Sequence, residues 1–518
     1  MEVATLVNEI TGATVVGDPT LGIERLAYHT RDVAPGTLFF CVPGIRFDGH
    51  DLAPAAVDKG AVALVCERRL DLAVTQIVVP SVRSAMAQMG ARFAGDPSHE
   101  LRIAAVTGTN GKTTTAHLIS GIFSVAGLQP ALLGTVVNRI GGVETPVTLT
   151  TAESIDLQMM FRAMLDAGDK SCAMEVSSHA LSLGRTEAID FNALVFTNLT
   201  RDHLDYHHDF EDYYQAKRRL FLPDEHRQGS AVAAVNIADE WGARLAGECR
   251  AAYGDDLWTY AVGDAGAGTA AAAAGSTAGA ADGSAADVTA TDLVLEADGT
   301  RFMLLVPRLG TQVEVRLRLA ARFNVANALA AATAALAMGV SLQHVQAGLE
   351  ATAGVAGRFE AVRAGQPFTV VVDYSHTPDS LENALLAARD VVASGRVLVV
   401  FGCGGDRDAG KRPLMGAIGA RLADRAYVTS DNPRSEDPAA IISAILAGVP
   451  EDAAAHVVAE PDRRAAIALA LADARADDIV VIAGKGHEQG QIIGDRKIPF
   501  DDRAVATELL SELGKVGA

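Results

Sequence analysis

The chain has 518 residues, 49% of them hydrophobic and 21% charged, with a formal net charge of −20. That length exceeds what one hydrophobic core serves and predicts about three domains, while the composition excludes global disorder. Such an acidic balance argues against broad binding to nucleic acid or an anionic membrane, and confines any phosphate site to a local basic spot.

The N-terminus, Met1-Glu2-Val3-Ala4, lacks the basic and apolar runs of a signal peptide, and no later stretch reads as a membrane span. A soluble protein that stays in the cytoplasm is expected. Residues 1–98 mix short β-type runs (37–42, 61–66, 76–79) with helical stretches and end at the Gly95-Asp96-Pro97-Ser98 breaker, which predicts a small α/β domain. A central domain, 99–353, opens with an apolar strand at 103–106. Strand and helix signals then alternate, as in a doubly wound parallel sheet. Within it, residues 263–289 are almost wholly Ala, Gly, Ser, Thr and Asp and read as a flexible surface insertion. Strands at 301–306 and 313–319 and an Ala-rich helix from Asn324 follow. A third domain, 354–518, repeats the βαβ pattern with strands at 369–372, 397–401, 426–429 and 479–482. Five cysteines (Cys41, Cys66, Cys172, Cys249, Cys403) form no CxxC pair and read as reduced, buried thiols.

The strongest local signal is Gly108-Thr109-Asn110-Gly111-Lys112-Thr113-Thr114, directly after the 103–106 strand. Glycines allow a tight turn, and backbone N–H groups at the following helix start converge on an anion. Lys112 suits the β- and γ-phosphates of a nucleotide and Thr113 a Mg²⁺ ion. A Gly-rich turn with a chance Lys-Thr is the bland alternative. Glu175, ending the apolar run 172–176, suits a second metal oxygen; alone, it would read as a strand-end carboxylate facing solvent. By spacing alone, Lys217 is a solvated lysine in a basic helix.

TGTNGKTT resembles the ATP loop of the Mur ligase family. MEVSSHAL (174–181) and FTNLTRDHLDYH (196–207) resemble that family's next segments. The resemblance covers nearly the whole chain outside the insertion and implies an ATP-dependent amide ligase of peptidoglycan precursor synthesis. It implies that Glu175 and His203 bind Mg²⁺ with Thr113, and that Lys217 is carbamylated and ligates metal as a carbamate. His207 and His208 carry no such implication and read as surface residues. Arg322-Phe323-Asn324-Val325-Ala326-Asn327 matches the family's FNxxN element, with Ala321 where a Gly is usual. Asn324, Arg358, Asp373 and His376 are then implied in closing over ATP from the C-terminal side.

In the N-terminal domain the resemblance places Tyr28, Thr30, Ile45, Arg46 and Phe47 at the UDP end of a muramoyl dipeptide, with His29 replacing a usual Asp. Thr150, Thr151, Ser177 and Arg185 fall where the peptide is held. Asp431-Asn432-Pro433-Arg434 is by itself a turn former with a solvated neighbour. It also resembles the signature of the members that add meso-diaminopimelate, which implies contacts from Asp431, Asn432, Pro433, Arg434, Arg407, Gly484 and Glu488. A guanidinium fork suits the far carboxylate that distinguishes diaminopimelate from lysine. Lysine addition, a folylpolyglutamate synthase-like ligase, a phosphate-loop kinase or motor, and an inactive nucleotide-binding module are the competing readings. Small-molecule substrates, Mg²⁺ and action as a monomer complete the expectation.

Overall fold

The computed structural model describes residues 1–44, 47–222, 231–263, 286–296, 299–392 and 394–516. They fall into two units: Met1–Ala105, Leu128–Asn192 and Leu222–Ala231 form one, and Val106–Gly127, Ala193–Phe221 and Val232–Ala518 form the other.

The first unit begins with a five-stranded sheet ordered Thr14–Val16, Thr75–Val78, Ala61–Cys66, Thr37–Phe40 and Arg25–Ala27. All pairings are parallel except that of the Thr14–Val16 edge. The central strands are apolar on both faces because both faces are covered. Leu38, Phe40, Ala63 and Val65 pack with Met86 and Met89 of helix Val82–Ala94, whereas Phe39, Leu64 and Cys66 pack with Ala53 and Ala56 of helix Ala53–Asp58. Ser81 Oγ caps helix Val82–Ala94, and Gly95, at φ 79°, ends it at the predicted breaker. Gly90 on this helix lies against Ile155 of helix Ser154–Ala167. Elsewhere in the unit, strand Ser171–Glu175 runs parallel to Pro130–Leu133, which pairs with the hairpin Asn138–Ile140 and Val143–Thr145.

In the second unit, strands Ala193–Phe196, Val232–Asn236, Leu257–Val262 and Val288–Glu296 are parallel, and Gly299–Val306 and Thr311–Leu317 extend them antiparallel. Helix Lys112–Val125 packs on helix Arg322–Ala337, whose small side chains are buried nearly all round. The expected insertion ends earlier than its composition suggests. Residues 264–285 lie outside the described set, but Val288 and Thr289 already belong to a strand, with Val288 fully buried. Pairing decides strand formation there, of Val288 with Tyr260 and of Thr289 with Ala261 and Leu305, which composition does not register.

The C-terminal part of this unit is a six-stranded sheet ordered Glu360–Ala361, Thr369–Asp373, Ile479–Ala483, Val397–Phe401, Arg425–Val428 and Val457–Ala459, parallel except at the first edge. Alternate side chains feed two cores, as the two-residue period of a strand requires. Val399, Phe401 and Val481 face Leu381, Leu385 and Met415; Leu398, Val400 and Val480 face Ile467, Leu471 and Leu509. The four inner strands all deliver their carboxyl ends to one edge, the usual place for ligand loops in such sheets. No helix among the described residues is long and apolar enough to cross a membrane.

Two helices behind this sheet are joined by a fully buried ion pair. Arg463 Nε and Nη2 donate to the Asp502 carboxylate at 2.8 and 2.7 Å, and Nη2 also donates to Ala483 O at 3.0 Å. Removing one partner of a buried pair strands the other charge. Asp502→Ala should therefore cost about 3–5 kcal/mol, read as an earlier urea transition for the C-terminal part. A shift below about 0.5 kcal/mol, the size of an ordinary surface change, would contradict this.

Candidate active site

Strand Arg102–Thr107 runs into the glycine loop, and helix Lys112–Val125 starts directly after it. Gly108 has φ 149° and a Cβ there would strike Thr197 Oγ1; Gly111, at φ 85°, faces Asn327 Oδ1 in the same way. The loop is shaped by side chains from the neighbouring strand end. Asn198 O accepts from Thr109 N and its Oδ1 from Asn110 N, both at 2.9 Å, while Thr197 Oγ1 donates to Asn110 O at 2.6 Å. Lys112 bends back over the loop and donates to Gly108 O and Thr109 O at 2.9 and 2.8 Å. Thr113 and Thr114 are buried at the helix start.

Lys217 is not a solvated lysine. It lies 1% exposed on helix Phe210–Arg218 and donates to Gly108 O at 2.9 Å, with Nζ 4.5 Å from the centre of the Tyr213 ring. Burial, reinforced by Lys112, pushes its ammonium well below the ordinary lysine range, against the pull of Asp202. His207 also departs from expectation. It is 2% exposed, stacked on Tyr213 at 4.9 Å, with Nδ1 3.3 Å from Asp212 Oδ2, and burial lowers its pKa. The periodicity of a short loop before a helix gave no sign of this inward turn. His208 is exposed, as expected. His203, at φ 55°, is held by Asp202, whose Oδ1 accepts its backbone N–H at 2.8 Å and whose Oδ2 lies 3.4 Å from its Nε2. Burial would raise the Asp202 carboxyl, but His203, His376 and Lys411 together hold it below its ordinary range.

From the C-terminal sheet, Arg358 Nη2 donates to Thr113 Oγ1 at 3.1 Å and its guanidinium lies over the Tyr374 ring at 4.6 Å. Asp373 turns inward and receives Phe359 N at 2.7 Å and Ser375 N at 2.8 Å, so it shapes the turns on either side. His376 Nδ1 lies 2.8 Å from Tyr374 O, and burial, with Lys411 beside it, lowers its pKa. Lys411 donates to His376 O at 2.8 Å. Asn324 and Asn327 are linked at 3.1 Å at the start of helix Arg322–Ala337. Ala321 before them sits at φ 85°, ψ 141°, a region suited to glycine, where a Cβ costs of order 1–3 kcal/mol. Asp379 was not singled out by the sequence, yet its Oδ2 accepts from Asn110 Nδ2 at 2.7 Å and Thr200 Oγ1 at 3.2 Å.

Within the first unit, Glu175 is 1% exposed, and its two oxygens accept from Thr135 N and Thr135 Oγ1 at 2.7 and 3.0 Å. Thr150, Thr151, Ser177 and Arg185 gather around it. Thr150 Oγ1 lies 3.1 Å from Thr135 Oγ1, Thr151 Oγ1 donates to Glu175 O at 3.0 Å, Ser177 N to Thr151 Oγ1 at 3.1 Å, and Arg185 Nη1 to Thr151 O at 2.9 Å. Glu153, missed in the sequence although it follows the Thr pair closely, fixes Arg185 through a 2.8 Å ion pair. A cleft of about 620 Å³ lies in the same unit, lined among others by Tyr28, His29, Arg31, Leu149, Asp156 and Met159. Tyr28 OH donates to Asp156 Oδ2 at 2.6 Å. Thr30 O accepts from Lys59, Phe47 is exposed, and Ile45 and Arg46 lie outside the described residues.

At the carboxyl ends of the C-terminal strands, Asp431, Asn432 and Pro433 are buried and Arg434 is partly exposed at φ 52°. Arg434 Nη1 donates to Gly405 O at 2.7 Å, and its backbone joins the hairpin Gly490–Ile493 and Arg496–Pro499 through Ile492 O and Gly494 N. Asn432 Nδ2 reaches Glu488 Oε2 at 2.9 Å. Gly484, at φ 118°, leaves space that a Cβ would deny Asp431 Oδ2. Arg407 stays exposed, with a long 3.5 Å bond to Asp406 O.

A strand, a glycine turn and a helix opening on Lys112 and Thr113, embedded in parallel sheets, define a nucleotide-binding α/β protein of the phosphate-loop class. Residues 23–94 match the catalytic domain of the Mur ligase family, 106–335 the Mur ligase middle domain and 357–486 the Mur ligase glutamate ligase domain. The chain therefore belongs to the Mur ligase family, whose members are ATP-dependent amide ligases. It is 44% identical over 514 residues to the UDP-N-acetylmuramoyl-L-alanyl-D-glutamate–2,6-diaminopimelate ligase of Geobacillus thermodenitrificans, covering 99% of this chain and 100% of that one. Identity to the Gloeobacter violaceus protein of the same name is 44% over 506 residues, covering 97% and 96%. A solved structure of a ligase so named superposes with a TM-score of 0.67 at 30% identity, covering 99% of each chain.

Loss of a hydrogen bond to a charged group costs about 1.5–3 kcal/mol. Asp379→Ala frees the Asn110 side chain and should weaken ATP binding by calorimetry roughly tenfold or more, the change such a loss implies. Unchanged affinity would leave Asp379 without a part in shaping the loop.

Proposed function

We propose that this chain joins meso-2,6-diaminopimelate to UDP-N-acetylmuramoyl-L-alanyl-D-glutamate, converting ATP to ADP and phosphate. It does so as a cytoplasmic monomer whose substrates are all small molecules. The partition into a UDP-substrate domain (1–98), a central ATP domain (99–353) and an amino-acid domain (354–518) is part of the proposal. The three separate family matches support it. The observation that carries the choice of amino acid is the buried Asp431-Asn432-Pro433 turn with Arg434 at its rim, tied to Glu488. Full-length relatives named for diaminopimelate support the same choice.

A carboxylate is a poor electrophile with a poor leaving group, so it must be activated. The dipeptide's terminal carboxylate oxygen attacks the γ-phosphorus of ATP, the bond to the bridging oxygen breaks, and ADP leaves an acyl phosphate. The amine then attacks the acyl carbon, loses a proton and expels inorganic phosphate. The glycine-loop N–H groups and Lys112 offset charge on the transferring phosphoryl group. Thr151, Ser177 and Arg185 hold the peptide; Asn324, Arg358, Asp373 and His376 complete the nucleotide site. Arg407 and Arg434 pair with carboxylates of the amino acid and Glu488 with its ammonium.

Thr113, Glu175, His203 and Lys217 as a carbamate would hold Mg²⁺, which when bound screens phosphoryl charge. The Thr113 hydroxyl and Glu175 carboxylate are hard oxygen donors suited to that ion, whereas an ammonium is not. Burial of the Lys217 amine beside Lys112 supports conversion, because a neutral amine adds carbon dioxide at nitrogen, releases a proton and becomes an anionic carbamate.

Two outcomes test this reading. Phosphate release with meso-diaminopimelate should far exceed that with L-lysine, since lysine leaves a guanidinium without its carboxylate. Arg434→Ala should erase most of the gap, whereas equal use of both by the wild type sinks the assignment. Separately, Lys217→Ala should cripple turnover and short carboxylates should partly restore it. Near-normal activity of that variant would rule out the metal-bridging role.

A further inference from the structure

The fully buried Lys485 has no part in the scheme above, although it lies within the Gly484-Lys485-Gly486-His487-Glu488 segment. Strand Ile479–Ala483 ends there, and positive φ angles at Gly484 (118°) and Gly486 (54°) turn the chain sharply. Lys485 N–H and C=O flank that turn, with Glu488 N donating back to Lys485 O at 2.9 Å. The side chain consequently points inward, at 0% exposure.

Its ammonium meets two groups. Nζ is 3.0 Å from Asn432 Oδ1 and 3.0 Å from Glu488 Oε2, while Asn432 Nδ2 is 2.9 Å from the same Glu488 oxygen. Lys485, Asn432 and Glu488 are thus bonded pairwise in a closed ring. The ring also fixes the Asn432 amide. Its oxygen faces two donors, the Lys485 ammonium and Ile492 N at 3.0 Å, so the flipped amide would set NH₂ against both. Among the described residues, Asn432 and Lys485 both bond the Glu488 side chain at Oε2, and about a third of that side chain stays exposed.

We propose that Lys485 is a positioning residue of the amino-acid site: it fixes the Asn432 amide and turns the Glu488 carboxylate so that Oε1 receives the ammonium of the incoming amino acid. The inference rests on the assignment of Glu488 to that ammonium. Burying a lysine is costly unless it is paired, and here the pairing lies wholly within the two loops that the site is built from. Lys485 also offsets the Glu488 charge, so the carboxylate stays fixed in place without needing a ligand to hold it.

The test is steady-state kinetics on the full chain, with ATP and the UDP-muramoyl dipeptide saturating. Lys485→Met should raise the KM for meso-diaminopimelate at least tenfold while the KM for ATP stays within twofold. Added to Glu488→Gln it should cost little more, because both changes break one coupled unit. A merely structural lysine would instead move both KM values together or add fully to Glu488→Gln, and either result overturns the proposal. Should Lys485→Met lose its circular dichroism signal, Lys485→Arg carries the test, since a displaced cation should still raise the diaminopimelate KM alone. Wild-type use of diaminopimelate is the control. Its absence would overturn the reading of the site and this inference with it, whereas normal wild-type use with an unmoved KM in Lys485→Met would overturn this inference alone.

Discussion

Two lysines share one carbonyl oxygen at the centre of the second unit. Gly108 O accepts from both Lys112 and Lys217 at 2.9 Å, and the two amines are buried to different degrees. Lys112, at the rim of the loop, is only partly buried. Lys217, enclosed by Tyr213 and the loop, is driven toward neutrality. Much of the surrounding architecture maintains this asymmetry. Tyr213 OH lies 3.1 Å from Thr109 Oγ1, Thr197 and Asn198 brace the loop from the next strand, and His207 stacks on the tyrosine ring.

The C-terminal sheet applies the same economy with a different chemistry. Its ligand loops follow four adjacent strand ends, and buried charges lock them from behind. Arg463 reaches Ala483 O just before Gly484, and Lys485 ties Gly484–Glu488 to Asp431–Arg434. Charges that would be liabilities in an apolar core are tolerated because each meets a partner, on a neighbouring helix for Arg463 and on the ligand loops for Lys485. The groups left for ligand are those at the rim.

The strands and the glycine loop were legible because their signals are local: apolar runs of strand length, and a glycine turn followed by Lys-Thr. The C-terminal strands at 369–373, 397–401 and 479–483 lie within a residue of where periodicity puts them. What sequence could not yield depends on distant partners. Lys217 reads as solvated until Tyr213 and Gly108 enclose it, and His207 reads as superficial until it stacks. Glu153, Asp379 and Lys485 each act through a residue already named, so sequence alone assigns them no role of their own. Nor does composition reveal that Val288 pairs with Tyr260, or that Thr289 has strand partners on both sides.

Ala321 adds a consequence for how this chain can change over generations. Its backbone occupies a conformation that glycine takes freely and other residues resist, at the entrance to the helix bearing Asn324 and Asn327. The methyl group is fully enclosed, so there is no room for a larger side chain to relax outward. Drift at this position is confined to the two smallest residues, and alanine is the edge of what the site tolerates. A lineage carrying it has used up part of its tolerance for destabilising substitutions elsewhere in the same core.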